Sequence, residues 1–182
     1  TLDSLLSQVE GALGEPSDTG IAAALDDLFE GFADLANDPA NGAVRDVVRQ
    51  AAARLAQQLN RLDGRIAQAA SDAVEQLRAG ADQVNSLTAR IAELNARILA
   101  AGGAGQSAPD LQDLRDALVD ELSGLVAVRV VAHDDGTIGV IAGDALLVDG
   151  GSAQALAVSP AGGGYGLSLA GGGAVDPQAG GL

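Results

Sequence analysis

From Ala43 to Ala101 apolar residues recur at alternating steps of three and four: Val44, Val48, Leu55, Leu59, Leu62 and Ile66, then Leu77, Val84, Leu87, Ile91, Leu94 and Ile98. No proline interrupts the stretch, so it predicts one rod-like helix about 85 to 90 Å long at a rise of about 1.5 Å per residue. Heptad-like spacing held this long belongs to coiled coils and elongated bundles, which points to assembly rather than catalysis. Between Ile66 and Leu77 the stripe shifts through Ala69, Ala70, Ala73 and Val74, a stutter of the kind that locally unwinds a supercoil. Gly64 and Gly80 also lie inside the helix, where they are read as tolerated, each at about 1 kcal/mol against Ala.

Shorter periodic segments flank the rod. Leu2, Leu5, Leu6, Val9 and Leu13 share one helical face and Gly14 supplies a stop, which predicts a first short helix. The turn formers Glu15 to Gly20 lead into a second helix, with Ile21, Leu25, Leu28, Phe32 and Leu35 as its expected buried face and Asp38-Pro39 as its end. Beyond the rod, Gly102 to Ser107 reads as a helix cap and connector. Pro109 then sits in the first turn of a helix carrying Leu111, Leu114, Leu118, Leu122 and Leu125, expected to pack antiparallel on the rod near Leu87 to Ile98.

At Val126 the period changes to two. Val126, Val128 and Val130 alternate, Asp134-Asp135-Gly136 is a hairpin turn, and Ile138 to Ile141, Leu146 to Val148, Ala155 to Val158 and Tyr165 to Leu169 follow as short runs. Four or five antiparallel strands are expected, and the glycine-rich last dozen residues show no periodicity. The fold class is therefore α+β and predominantly α: an elongated antiparallel helical bundle around one very long helix (residues 1–125), then a small antiparallel β module (residues 126–182) that begins an incomplete outer domain.

Charge sharpens this layout. Residues 1–44 hold nine acids and no base, whereas residues 45–98 hold eight arginines and six acids. The acidic entry is expected to fold back on the first part of the rod, with rim ion pairs that help set orientation while each adds only about 0 to 1 kcal/mol. A formal net charge of −15 opposes nucleic acid and anionic membranes as partners. No apolar run approaches the span of a bilayer, and no secretory signal or other targeting segment is recognised. Phe29, Phe32 and Tyr165 are the only aromatic residues, so the core must be aliphatic and a ligand pocket is poorly provided for.

Candidate chemistry is sparse. No cysteine is present, which removes disulfides, thiolate nucleophiles and zinc knuckles. His133, the single histidine, is read as an exposed residue at a strand end, and the glycines at 102, 103 and 105 lack the lysine of a phosphate-binding loop. Asp26-Asp27 and Asp120-Glu121 diverge by about 100° on a helix, and Asp134-Asp135-Gly136 lacks calcium-loop spacing. No catalytic residue, metal ligand or cofactor site is expected. The two short companion helices cannot cover the whole rod, so Leu59, Leu62, Ile66, Leu77 and Val84 are expected to face water and need a partner helix, from a missing part of the polypeptide or a neighbouring subunit.

The order of motifs resembles the flagellar hook-associated protein 1 family. The resemblance is carried by Glu15-Pro16-Ser17-Asp18-Thr19-Gly20, Leu25-Asp26-Asp27, Asp34-Leu35-Ala36-Asn37-Asp38-Pro39, Gln83-Val84-Asn85-Ser86-Leu87, Ile91-Ala92-Glu93-Leu94-Asn95, Asp113-Leu114-Arg115-Asp116, Leu122-Ser123 and Asp134-Asp135-Gly136-Thr137, covering about residues 1–150. It implies a structural subunit joining hook to filament, exported by the flagellar secretion apparatus without a cleaved signal and assembled as a ring. Implied partners are other copies, the hook protein, the third hook-associated protein and the chain's own missing terminal helices, since the sequence is expected to be an internal fragment. Rival readings are another axial protein such as flagellin or the third hook-associated protein or, from a different class, a calcium-binding module or soluble enzyme with a helical hairpin.

Overall fold

The computed structural model describes residues 20–162, 164–170 and 172–175. The predicted helix Leu2–Leu13, most of the turn that follows it and the final residues lie outside the described set. Three helices come first: α1 (Ile21–Asn37), α2 (Gly42–Gly103) and α3 (Pro109–Ser123). Seven strands follow, β1 (Val128–Ala132), β2 (Ile138–Ala142), β3 (Ala145–Asp149), β4 (Ser152–Ala153), β5 (Leu156–Ala161), β6 (Gly164–Leu169) and β7 (Ala174–Val175). They form two antiparallel meanders in sequence order, β1-β2-β3-β4 and β5-β6-β7. The predominantly helical α+β class is therefore observed, with α2 as its long helix. The two-residue strands β4 and β7 and the division into two sheets go beyond the sequence reading, because pairs that short carry no alternation to detect.

The chain divides into two compact units that meet between Ala73 and Val74. This is the place where the heptad stripe loses register. In the first unit, Asn41 opens α2 by accepting from the Ala43 amide at 3.0 Å and donating to Asp38 at 3.1 Å. Arg45 ties the same turn down, donating to the Pro39 carbonyl at 2.6 and 3.1 Å. The helices then pack as an antiparallel pair through small residues: Ala24 and Gly31 of α1 and Val48 and Ala51 of α2 are buried. A methyl group on Gly31 would lie 3.2 Å from Val48 Cγ2, so glycine sets how closely the helices approach.

This corrects part of the expected face of α1, whose Ile21, Leu28 and Leu35 are half-buried. Leu25 is 40% and Phe32 49% exposed, as is Phe29 at 61%. Close contact needs small side chains, and the contact face has rotated toward them. Two ion pairs of α2 lie within the helix itself, Arg49 with Asp46 and Arg78 with Glu75, while four of the nine acids of the entry segment lie outside the described residues. Asp26, Asp27, Glu30 and Asp34 are all exposed on α1; at about 100° per residue Asp26 and Glu30 point away from the Ala24–Gly31 face, whereas Asp27 and Asp34 flank it. Gly64 and Gly80 have no heavy atom within 4 Å of where a Cβ would stand, which fits toleration rather than close approach within this chain.

In the second unit one core joins Ala81, Val84, Leu87, Ile91 and Leu94 of α2 to Leu118 and Leu122 of α3 and to Ile138, Val140, Leu147, Val148, Leu156 and Val175 of the sheets. Helix α3 thus lies where the sequence placed it. Its Leu114 is 58% exposed and Leu125, beyond the helix, 49% exposed, so those two leave the expected buried face. Helix α2 ends at a tight left-handed turn: Gln106 N donates to Ala101 O and Gly105 N to Gly102 O, both at 2.9 Å, with Gly105 at φ +71°. These are the paired bonds that satisfy the last helical carbonyls, and only glycine adopts that backbone without strain.

Candidate functional site

The chemistry-bearing residues gather around two asparagines on α2 and one arginine on α3. Asn95 is fully buried in the apolar face of α2. Its Nδ2 donates to the carbonyls of Ile138 and Gly150, each at 2.8 Å. Its Oδ1 accepts from Ile138 N at 3.2 Å and from Arg115 Nη1 at 3.4 Å. Two donors and two lone pairs are all used, so burial costs this amide little of its hydrogen bonding. The amide thereby bridges β2 and the turn after β3 to the helix.

Arg115 is 7% exposed. It donates from Nη1 to Gly136 O at 2.9 Å and from Nε and Nη2 to the Asp116 carboxylate at 3.2 and 3.1 Å. A buried guanidinium needs this many partners to offset desolvation. Gly136, at φ +83°, completes the β1-β2 turn, closed by His133 N donating to Thr137 O at 2.9 Å and Gly136 N to His133 O at 3.1 Å. Asp135 Oδ1 accepts from Thr137 Oγ1 at 2.7 Å and Thr137 N at 2.9 Å. Those Thr137 bonds, hydroxyl first and amide second, hold the Asp135 carboxyl below its ordinary range, with a smaller electrostatic contribution from His133. His133 is half-buried and its Nδ1 lies 3.0 Å from Thr137 Oγ1. The expected exposed histidine is thus part of the turn's own network, which the alternating pattern alone did not reveal.

Asn85 repeats the arrangement one sheet along. Its Nδ2 donates to Leu156 O at 2.9 Å and its Oδ1 accepts from Leu156 N at 2.7 Å, so the side-chain amide pairs with β5 much as a neighbouring strand would. Asn85, Asn95 and Arg115 were quoted above only as parts of motifs. The available signal was a poor helix former on the buried stripe of a helix, where an amide needs partners from elsewhere.

The five expected packing residues behave unequally. Leu59 and Ile66 are 48% and 47% exposed. Leu62 and Leu77 are half-buried. Val84, only 6% exposed, belongs to the chain's own core, so its expected exposure to water is corrected: Leu122, Leu147 and Leu156 fill out the core it joins. The carboxylate pairs do not converge, and no group of three or more metal-capable side chains occurs among the described residues. Nor is any described helix long and apolar enough to cross a membrane.

The described chain is thus a helical domain with part of its apolar stripe exposed and its buried polar side chains committed to backbone. A family model described as the flagellar hook-associated protein FlgK helical domain matches residues 6–180, and the chain belongs to that family. Flagellar hook-associated protein 1 of Escherichia coli is 30% identical over 158 residues, 85% of this chain and 29% of that protein. Its counterpart in Bacillus subtilis is 29% identical over 131 residues, 72% of this chain and 26% of that protein. The solved structure of the flagellar hook junction protein FlgK from Burkholderia pseudomallei aligns with a TM-score of 0.73 and 31% identity, covering 93% of this chain and 32% of that one. The chain thus spans about a third or less of the length of these relatives.

Proposed function

We propose that this chain is the helical domain of a structural subunit joining hook to filament in a bacterial flagellum, working by packing against neighbours and not by catalysis. The observation that carries the reading is the apolar seam of α2 left uncovered at Leu59 and Ile66, in a chain whose relatives are named for the hook and its junction. Burying those two leucine-class side chains against a partner helix is worth about 1 kcal/mol or more each, and neighbouring charges select register more than they add affinity. Leu62 and Leu77 extend the seam at its half-buried positions. The partners are further helices of the full-length polypeptide, other copies, and neighbouring axial proteins such as the hook protein and the third hook-associated protein. The site of action is the extracellular flagellum, reached through the flagellar export apparatus, and residues 126–182 begin a module that extends outward from the helical layer.

The test places Leu59→Asp and Ile66→Asp together in the full-length protein of a motile host. Hooks that form without retaining filaments support the reading, and normal filaments overturn it. The rival calcium-binding reading is separated by melting the chain with and without low millimolar calcium: the packing reading expects no specific shift.

A further inference from the structure

The two β-sheets are fastened to α2 in different ways. Beneath β1–β4 the core is closed, with Ile91, Leu122, Val140, Leu147 and Val148 all fully buried. Asn95 and Arg115 together give that sheet four hydrogen bonds to backbone groups, at Ile138 N, Ile138 O, Gly136 O and Gly150 O. Gly151 adds close contact, since a Cβ there would stand 3.4 Å from Ala96 Cβ.

Sheet β5–β7 is held more lightly. Leu156 and Val175 are its buried residues, while Val158, Leu167 and Leu169 only lean on the core. A cavity of about 280 Å³ lies beside it, bounded by Leu77, Gly80 and Val84 of α2, by Leu156, Leu167 and Val175 of the sheet and, on its other side, by Leu125, Val126 and, from β2, Ala142. Among the described residues its polar tie to the helix is the Asn85–Leu156 pair. Only Gln154 and Ala155 connect it to β4: Gln154 N donates to Leu147 O of β3 and Ala155 O accepts from Ala170 N, each at 2.8 Å, so the change of sheet falls between them, and no strand of one sheet pairs with a strand of the other.

We propose that β5–β7 is a flap that opens as a unit about Gln154-Ala155, with Asn85 as its latch, while β1–β4 stays locked. Opening uncovers Val84, which alone of the three α2 residues named at the cavity is buried. A loosely filled interface with few polar ties is where sub-global opening concentrates, and each lost hydrogen bond shifts such an equilibrium severalfold.

The chain contains no cysteine, so introduced thiols report cleanly. Native-state hydrogen exchange on the 182-residue chain is compared with the modification rates of Val84→Cys and Leu147→Cys. In the unsubstituted protein, β5–β7 amides exchange faster than β2–β3 amides and the thiol at position 84 reacts before the one at 147. Adding Asn85→Ala speeds β5–β7 exchange and position-84 labelling roughly ten- to hundredfold and leaves β2–β3 unchanged. Equal protection of the two sheets in the unsubstituted protein overturns the proposal whether or not the variant folds. So does a folded Asn85→Ala protein whose two sheets accelerate together, or whose β5–β7 does not accelerate.

Discussion

Helix α2 carries one periodicity and two fates. Along residues 42–73 only Val48 and Ala51 are buried, and Leu59 and Ile66 remain about half exposed. Along residues 74–103 Ala81, Val84, Leu87, Thr88, Ile91, Ala92, Leu94, Asn95 and Ile98 are all buried. The apolar spacing of the halves is nearly the same. What separates them, among the described residues, is the supply of covering elements: α3 and two sheets in one unit, α1 in the other. Periodicity states which face of a helix is sticky and is silent on what the chain provides to cover it.

The sharpest way to break this comparison is a matched pair of truncations. Ile91→Ala should cost about 3 kcal/mol because a fully enclosed side chain leaves a cavity, whereas Leu59→Ala should cost less than about 1 kcal/mol in this chain. Urea denaturation followed by circular dichroism measures both, and similar losses would show that the first half of α2 is as well covered as the second. Asn95→Ala comes next, at about 2 to 3 kcal/mol, since it strands buried backbone groups of Ile138 and Gly150 as well as removing its own bonds. A cavity-sized loss with no change in β2 amide protection would contradict the bridging role.

Gly31→Leu should destabilise the first unit by about 1 to 2 kcal/mol through forced separation at Val48, read as faster exchange of α1 amides with the second unit unaffected. The smallest effect is acid sensitivity of the β1-β2 turn. The Asp135 pKa is lowered in the folded chain, so its contribution is present above the ordinary carboxylate pKa and is lost as pH falls through the lowered value. Asp135→Asn should flatten the pH dependence of stability below about pH 4 and change little at neutrality; an unaltered acid limb would remove the carboxylate from the account.

Much of the architecture was legible in advance because each element has a period long enough to read. Helices α1 to α3 and the five longer strands show it, and Asp134-Asp135-Gly136 marks its hairpin directly. The boundary drawn at 125/126 follows the change of period. The division into compact units at Ala73/Val74 is a separate property, because packing is settled by which surfaces meet and not by where the local conformation changes. The seam residues were named from spacing, but Val84 could be told from Leu59 only by seeing Leu156 and Val175 beside it. The asparagines escaped for a related reason. An amide on an apolar stripe announces that it needs partners, yet the backbone groups satisfying Asn95 lie 43 and 55 residues away.

The narrow gap between Gly31 and Val48 has a further consequence for how this hairpin can change over time. The two positions are a size-matched couple, in which a bulkier residue enters one only when the other shrinks. Among relatives that keep the hairpin, a larger side chain at the place of Gly31 should therefore travel with alanine or glycine at the place of Val48, even though the exposed leucines and phenylalanines around them vary freely with whatever lies against them.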